Sequence, residues 1–203
     1  MRAHLMLFGF SLALCTAPLS AADSQKAAVA EDKAQVLEQK VVEDAPPPKP
    51  KEKITPAEVQ AVDPVGQAPM DDSITCLART LYWEAKGADA EDMSAVANVV
   101  LNRVGHDGFP DSICAVVKQG VESKSCQFSW WCDGRPDQVE EPERYAVAKE
   151  IARKALNQQL KDATDGALYF HDRSVHPAWA KAYRRTAQTT HFLFYKPNQA
   201  LAR

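Results

Sequence analysis

Asp71-Asp72-Ser73-Ile74-Thr75-Cys76-Leu77-Ala78-Arg79-Thr80-Leu81-Tyr82-Trp83-Glu84-Ala85-Lys86-Gly87 is the stretch on which the reading of the fold turns. Its acidic and hydroxyl opening offers side-chain oxygens to the free N–H groups of a helix start, and Ile74, Leu77, Ala78 and Leu81 recur at helical spacing. Gly87 stops that helix. Asp89 then caps a second one, with Glu91 and Asp92 in its first turn and Met93, Val96, Val99 and Val100 on its apolar stripe, and Gly105 ends it. A short helix follows over Ser112 to Lys118, closed by Gly120. Pro142 opens a longer one reaching about Leu160, with Tyr145, Ala148, Ile151, Ala152 and Leu156 turned inward. After Asp165-Gly166 the period changes. Ala167-Leu168-Tyr169-Phe170-His171 and His191-Phe192-Leu193-Phe194-Tyr195 read as two aromatic strands able to pair antiparallel. The expected class is α+β, mainly helical, with a small antiparallel sheet near the C-terminus.

Composition divides the chain. Of 203 residues, 24 are Lys or Arg and 27 are Asp or Glu, a formal balance of −3 that supplies no basic face for nucleic acid. Of 16 aromatic residues, 14 lie after position 70 and none lies between 23 and 70. Residues 1–22 read as a secretory signal: Arg2 and His4 precede an apolar run from Leu5 to Leu14, Pro18 breaks it, and Ser20-Ala21-Ala22 suits cleavage. An exported, periplasmic or wall-associated protein is expected. Residues 23–70 carry seven of the 13 prolines and no aromatic, so they are expected to be a disordered Pro/Ala/Lys/Glu-rich spacer that cannot bury enough apolar surface to order itself. Residues 71–203, with 18 acids and 17 bases, are expected to hold one compact domain.

Four cysteines remain after signal removal, and in an exported chain an even number points to disulfides. Cys126 and Cys132 flank five residues, so their bridge closes a short loop, which leaves Cys76 to Cys114; three pairings are formally open. No Cys-x-x-Cys knuckle is present to hold zinc, and His171, His176 and His191 do not form a dense ligand cluster. No metal and no cofactor is expected.

Glu84 is the residue with most chemical content. It sits in the last turn of its helix, where the macrodipole presents its negative end, beside bulky Tyr82 and Trp83. Both conditions favour the protonated carboxyl, which is what a general acid requires near neutral pH, and protonation of a glycosidic oxygen is the reaction best served by such a group. The loop Gln127-Phe128-Ser129-Trp130-Trp131 offers aromatic faces for sugar stacking, with Gln127 and Ser129 as polar partners. Asp133 is a candidate second carboxylate.

Five segments taken in order carry a family resemblance. Tyr82-Trp83-Glu84-Ala85-Lys86-Gly87, Ala95 to Val104, Phe109 to Val117, Cys126-Gln127-Phe128-Ser129, and the pair Thr164 to Phe170 with His191 to Tyr195 resemble the cell wall hydrolase family of the spore cortex-lytic enzymes. The resemblance implies a lysozyme-like fold acting on the glycan strands of peptidoglycan, with Glu84 as general acid. Tyr82, Tyr169 and His191 join the loop residues as expected substrate contacts. Two positions depart from the family's Glu-Ala-Arg-Gly-Glu motif: Lys86 replaces its Arg, and Ala88 stands where a second Glu is usual. With one carboxylate left, the expected chemistry is that of a lytic transglycosylase, in which Glu84 is both acid and base and the nucleophile belongs to the substrate. A muramidase-type hydrolase with a second carboxylate is the alternative. Other readings are a non-catalytic wall-binding module docked through Trp130 and Trp131, and a peptidase of the stem peptides. Peptidoglycan is the expected partner, with a monomeric enzyme and no stable protein partner.

Overall fold

The computed structural model describes residues 20–123 and 125–198. Six helices and a three-stranded sheet follow one another along these residues: α1 (Ala21–Val42), α2 (Pro56–Ala61), α3 (Ser73–Glu84), α4 (Ala90–Arg103), α5 (Ile113–Lys118), α6 (Pro142–Leu156), then β1 (Tyr169–Asp172), β2 (Tyr183–Gln188) and β3 (Phe192–Pro197). The expected α+β class, mainly helical with a small late antiparallel sheet, is the observed one.

Helix α3 forms the axis. Asp72 caps it by accepting from the Thr75 N–H, and all ten residues from Ser73 to Tyr82 are buried. A helix buried on every side must be surrounded, and α3 contacts α1, α4, α5 and α6, its buried Arg79 being paired with Asp63. The Cys76–Cys114 disulfide ties it to α5, and Cys126–Cys132 closes the loop carrying the paired tryptophans, both as expected from the sequence. Helix α4 begins as read, with Asp89 accepting from the Glu91 and Asp92 N–H groups and Asp92 returning the capping interaction.

Three readings are corrected. The long helix α6 ends at Leu156, not near Leu160, because Asn157 turns its amide onto the backbone N–H and carbonyl of Ile54 (both 2.9 Å) and Gln158 takes φ 54°. Strand β2 was not foreseen. Its sequence Tyr-Arg-Arg-Thr-Ala-Gln is that of a solvated edge, and the sheet order β1-β3-β2 places it outermost, antiparallel to β3 with a bulge between Arg185 and Ala187.

The third correction concerns the spacer. Residues 23–70 are expected to be disordered, yet α1 is a 22-residue helix and α2 adds a further turn. Ala30, Ala34 and Leu37 of α1 and Ile54, Val59 and Val62 beyond it belong to the same buried core as α3 and α6. Small alanines form the contact stripe, so composition shows little hydrophobicity, although the helix seats closely against an existing core. Ion pairs Lys33–Glu58 (2.8 Å) and Lys40–Glu52 (2.8 Å) fasten α1 to the chain that follows, and Glu38 accepts the Ile113 N–H at the start of α5 (2.6 Å). Asp63 is buried and accepts from Arg79 Nε (3.0 Å) and Tyr145 OH (2.7 Å), locking this segment to α3 and α6. The expected export segment lies outside the described residues up to position 19, and no described helix is long and apolar enough to cross a membrane.

Candidate active site

A cleft of about 830 Å³ opens where the C-terminal end of α3 meets the face of the sheet. Glu84, the last residue of α3, stands in it. Desolvation by the surrounding protein pushes the Glu84 carboxyl up to about 7, with only the Arg103 cation acting the other way. Among the described residues no donor hydrogen-bonds this carboxyl, so its proton is free for a ligand.

Arg103, from the last turn of α4, is buried beside it. Its Nε donates to the Leu168 carbonyl (2.8 Å), and its guanidinium lies over the rings of Phe128 (5.1 Å), Phe109 (5.2 Å) and Tyr169 (5.7 Å). Burial lowers Arg103 to about 10, still charged at neutral pH. One nitrogen, Nη1, is buried without a hydrogen-bond partner.

The sheet side of the cleft is aromatic. Tyr169 of β1, Trp179 on the short helical turn between β1 and β2, and Tyr183 at the start of β2 stand with ring centroids 4.9 to 5.8 Å apart. His171 is fixed beneath Trp179 by its Nε2 contact with Tyr195 OH (3.1 Å) and by stacking on that ring at 5.2 Å. Asp172 also borders the cleft; hydrogen bonds from the Ser174 hydroxyl (2.6 Å) and N–H (2.7 Å) hold it below the usual carboxylate range. On the α4 side, His191 presents its ring with Nδ1 2.6 Å from Asp92 Oδ2.

Of the residues singled out in the sequence, Glu84, Gln127, Tyr169 and His191 line this cleft. The Gln127 loop folds back on the end of α5: Gly120, at φ 98°, lets the Ser125 backbone approach where a Cβ would overlap it, and the Ser125 and Gln127 N–H groups donate to the Gly120 and Gln119 carbonyls (both 3.0 Å). Tyr82, Phe128, Ser129, Trp130 and Trp131 do not line it. Tyr82 is fully buried and its hydroxyl accepts from the Glu140 and Glu141 N–H groups (both 3.1 Å). Phe128 lies in the core under Arg103. Ser129 and Trp130 face a separate recess of about 460 Å³ together with Trp83 and Asp133, and Trp131 packs near Lys118 instead. Ser129–Trp131 form a single 3-10 turn, on which adjacent side chains diverge by about 120°, so these neighbours cannot all reach one groove. Sequence reasoning missed Arg103, Trp179, Tyr183 and the Asp92 partner of His191. The spacing Trp179–Tyr183 between two strands was a readable aromatic signal; Asp92 looked like an ordinary first-turn acid.

The family model described as Cell Wall Hydrolase matches residues 87–195 of this chain. The chain belongs to the cell wall hydrolase family. Among its relatives is the spore cortex-lytic enzyme of Halalkalibacterium halodurans, 30% identical over 102 residues, 49% of this chain and 27% of that protein. The spore cortex-lytic enzyme of Bacillus subtilis is 29% identical over 102 residues, 49% of this chain and 29% of that one. The chain therefore spans under a third of the length of these two curated relatives. The catalytic domain of the Bacillus cereus SleB protein superposes with a TM-score of 0.45 at 23% identity, covering 61% of this chain and 89% of that one. Within this family member the matched range takes in Arg103, Tyr169, Trp179 and His191, while Glu84 stands three residues ahead of its first position.

Proposed function

We propose that this cell wall hydrolase cleaves peptidoglycan glycan strands at the β-1,4 bond between N-acetylmuramic acid and N-acetylglucosamine, with Glu84 as the acid. The observation that carries this reading is a carboxyl lining an open cleft, without a hydrogen-bond partner among the described residues and held protonated up to about pH 7. Glu84 gives its proton to the bridging oxygen as the C1–O4 bond breaks, and Arg103 stabilises the carboxylate left behind. Trp179, Tyr169 and Tyr183 supply the flat apolar faces on which sugar rings stack, and Gln127 a polar partner for hydroxyl or acetamide groups.

Ala88 removes the carboxylate that the family motif usually has there, which favours a route with one protein acid. The 6-hydroxyl of muramic acid then closes a 1,6-anhydro ring on C1, as in a lytic transglycosylase. In its simplest form the ionised Glu84 takes that hydroxyl's proton. A hydrolytic outcome is favoured by a different observation: Asp172 is an ionised carboxylate on the same cleft, available to act on water or on C1. The site belongs to an exported enzyme working on the wall as a monomer.

Purified sacculi digested with wild type and with Glu84→Gln test both parts. Anhydromuramic ends from wild type and a loss of about 10³-fold in the variant are expected. Near wild-type cleavage by the variant overturns Glu84 as the acid, and reducing muramic ends in place of anhydro ends overturn the transglycosylase outcome.

A further inference from the structure

His191 borders the Glu84 cleft and is held from behind by a carboxylate. Its partner Asp92, one turn into α4, is fully buried and yet has four hydrogen bonds: Thr189 Oγ1 at 2.5 Å, His191 Nδ1 at 2.6 Å, the His191 N–H at 3.3 Å and the Asp89 N–H at 3.4 Å. Burial alone would raise this carboxyl, but the donors outweigh it and hold Asp92 below the ordinary value, so it is ionised. An ionised carboxylate only accepts. The proton between the two groups therefore belongs to Nδ1, and in the neutral ring Nε2 carries the lone pair. That nitrogen has no hydrogen-bond partner among the described residues, and the ring, with 45% of its side chain accessible, borders the Glu84 cleft. The two residues come from elements 99 positions apart, Asp92 in α4 and His191 just ahead of β3, so the pair exists only because the sheet docks on the α4 N-terminus.

A carboxylate aimed at one ring nitrogen fixes the tautomer and orientation of the neutral imidazole and leaves the other nitrogen's lone pair facing the cleft, the arrangement of a general base. Resting on the reading of Glu84 as the acid, we infer that His191 is the base of the same cleft, with Asp92 as its positioning residue. The C1–O4 bond breaks and its electron pair goes to O4, which takes the Glu84 proton. A lone pair of the muramic acid O6 forms the C1–O6 bond, and the proton of that hydroxyl passes to His191 Nε2. Glu84 ends ionised and His191 protonated, and each returns to its starting state by proton exchange with water in the open cleft. The function of the second carboxylate absent at Ala88 is thus taken over by an imidazole from the sheet side, and Glu84 is spared the return step.

The full chain is tested on purified sacculi with His191→Ala, His191→Gln and Asp92→Asn, each checked for its melting temperature. Removal of the base is expected to lower kcat by about 10²-fold in both His191 variants, with KM within about threefold. Added imidazole is expected to restore part of the His191→Ala rate, a response that a lost sugar contact would not show. Asp92→Asn is expected to lower kcat with KM unchanged. Retention of wild-type kcat in His191→Gln overturns the proposal, as does a rise in KM without imidazole rescue. In either of those cases an inactive Glu84→Gln still leaves the acid in place, with Glu84 performing both proton transfers, so the two readings fail separately.

Discussion

Glu84 shows how one side chain trades stability for chemistry. Its folded value of about 7 lies above the ordinary 4.5, so the stability tied to its protonation is complete below about 4.5 and disappears as pH rises through about 7. Two pH effects follow with the same sign. Activity that requires the protonated acid should fall as pH rises through about 7, measured as kcat/KM on solubilised glycan. Glu84→Gln should gain thermal stability relative to wild type at pH 8 but little at pH 5, because only the charged form resents burial. Arg103 opposes the burial effect at Glu84, so Arg103→Met, which keeps the stem among Phe109, Phe128 and Tyr169, should move the alkaline limb of the profile upward. An alkaline limb that moves downward would show that the guanidinium does not act on Glu84 through its charge. Glu84 was legible in the sequence because its position at a helix C-terminus among bulky rings is a local property. The Arg103 contribution was not, since a helix-terminal Arg reads as a solvated cation until the sheet covers it.

At the level of elements, the segment between β1 and β3 decides what the cleft can hold. The sequence pointed to Trp130 and Trp131 as the sugar platform, but the turn carrying them directs Trp130 inward and leaves it buried. On the proposed reading the platform is instead Trp179, partly exposed on its helical turn, with Tyr183 at the start of an edge strand, both of which line the cleft. Trp179→Ala should therefore raise KM for glycan about tenfold, or about 1.4 kcal/mol, while leaving the melting temperature nearly unchanged. Trp131→Ala serves as the comparison and should leave KM alone. If Trp131→Ala raises KM and Trp179→Ala does not, the platform has been placed on the wrong loop.

For the molecule as a whole, the N-terminal segment is part of the folded unit. Leu37 is 1% exposed and sits in the core cluster shared with α3 and α6. Leu37→Ala should cost about 2–4 kcal/mol in denaturant unfolding, with a single cooperative transition. A spacer detached from the domain would make the same substitution silent, so an unchanged midpoint excludes α1 from the cooperative unit.

Local rules were enough for the starts of α3 and α4, for the two aromatic strands, for both disulfides and for the position of Glu84 in the last turn of α3, because caps, periodicity and short loop closure act over a few residues. Docking of α1 through alanines, the Asp92–His191 pair, the cation buried under Tyr169 and the facing of each tryptophan required the assembled chain. Each depends on what a residue meets across a distance of tens of positions, where burial changes the weight of a charge and a helical turn decides which of two neighbours reaches the groove.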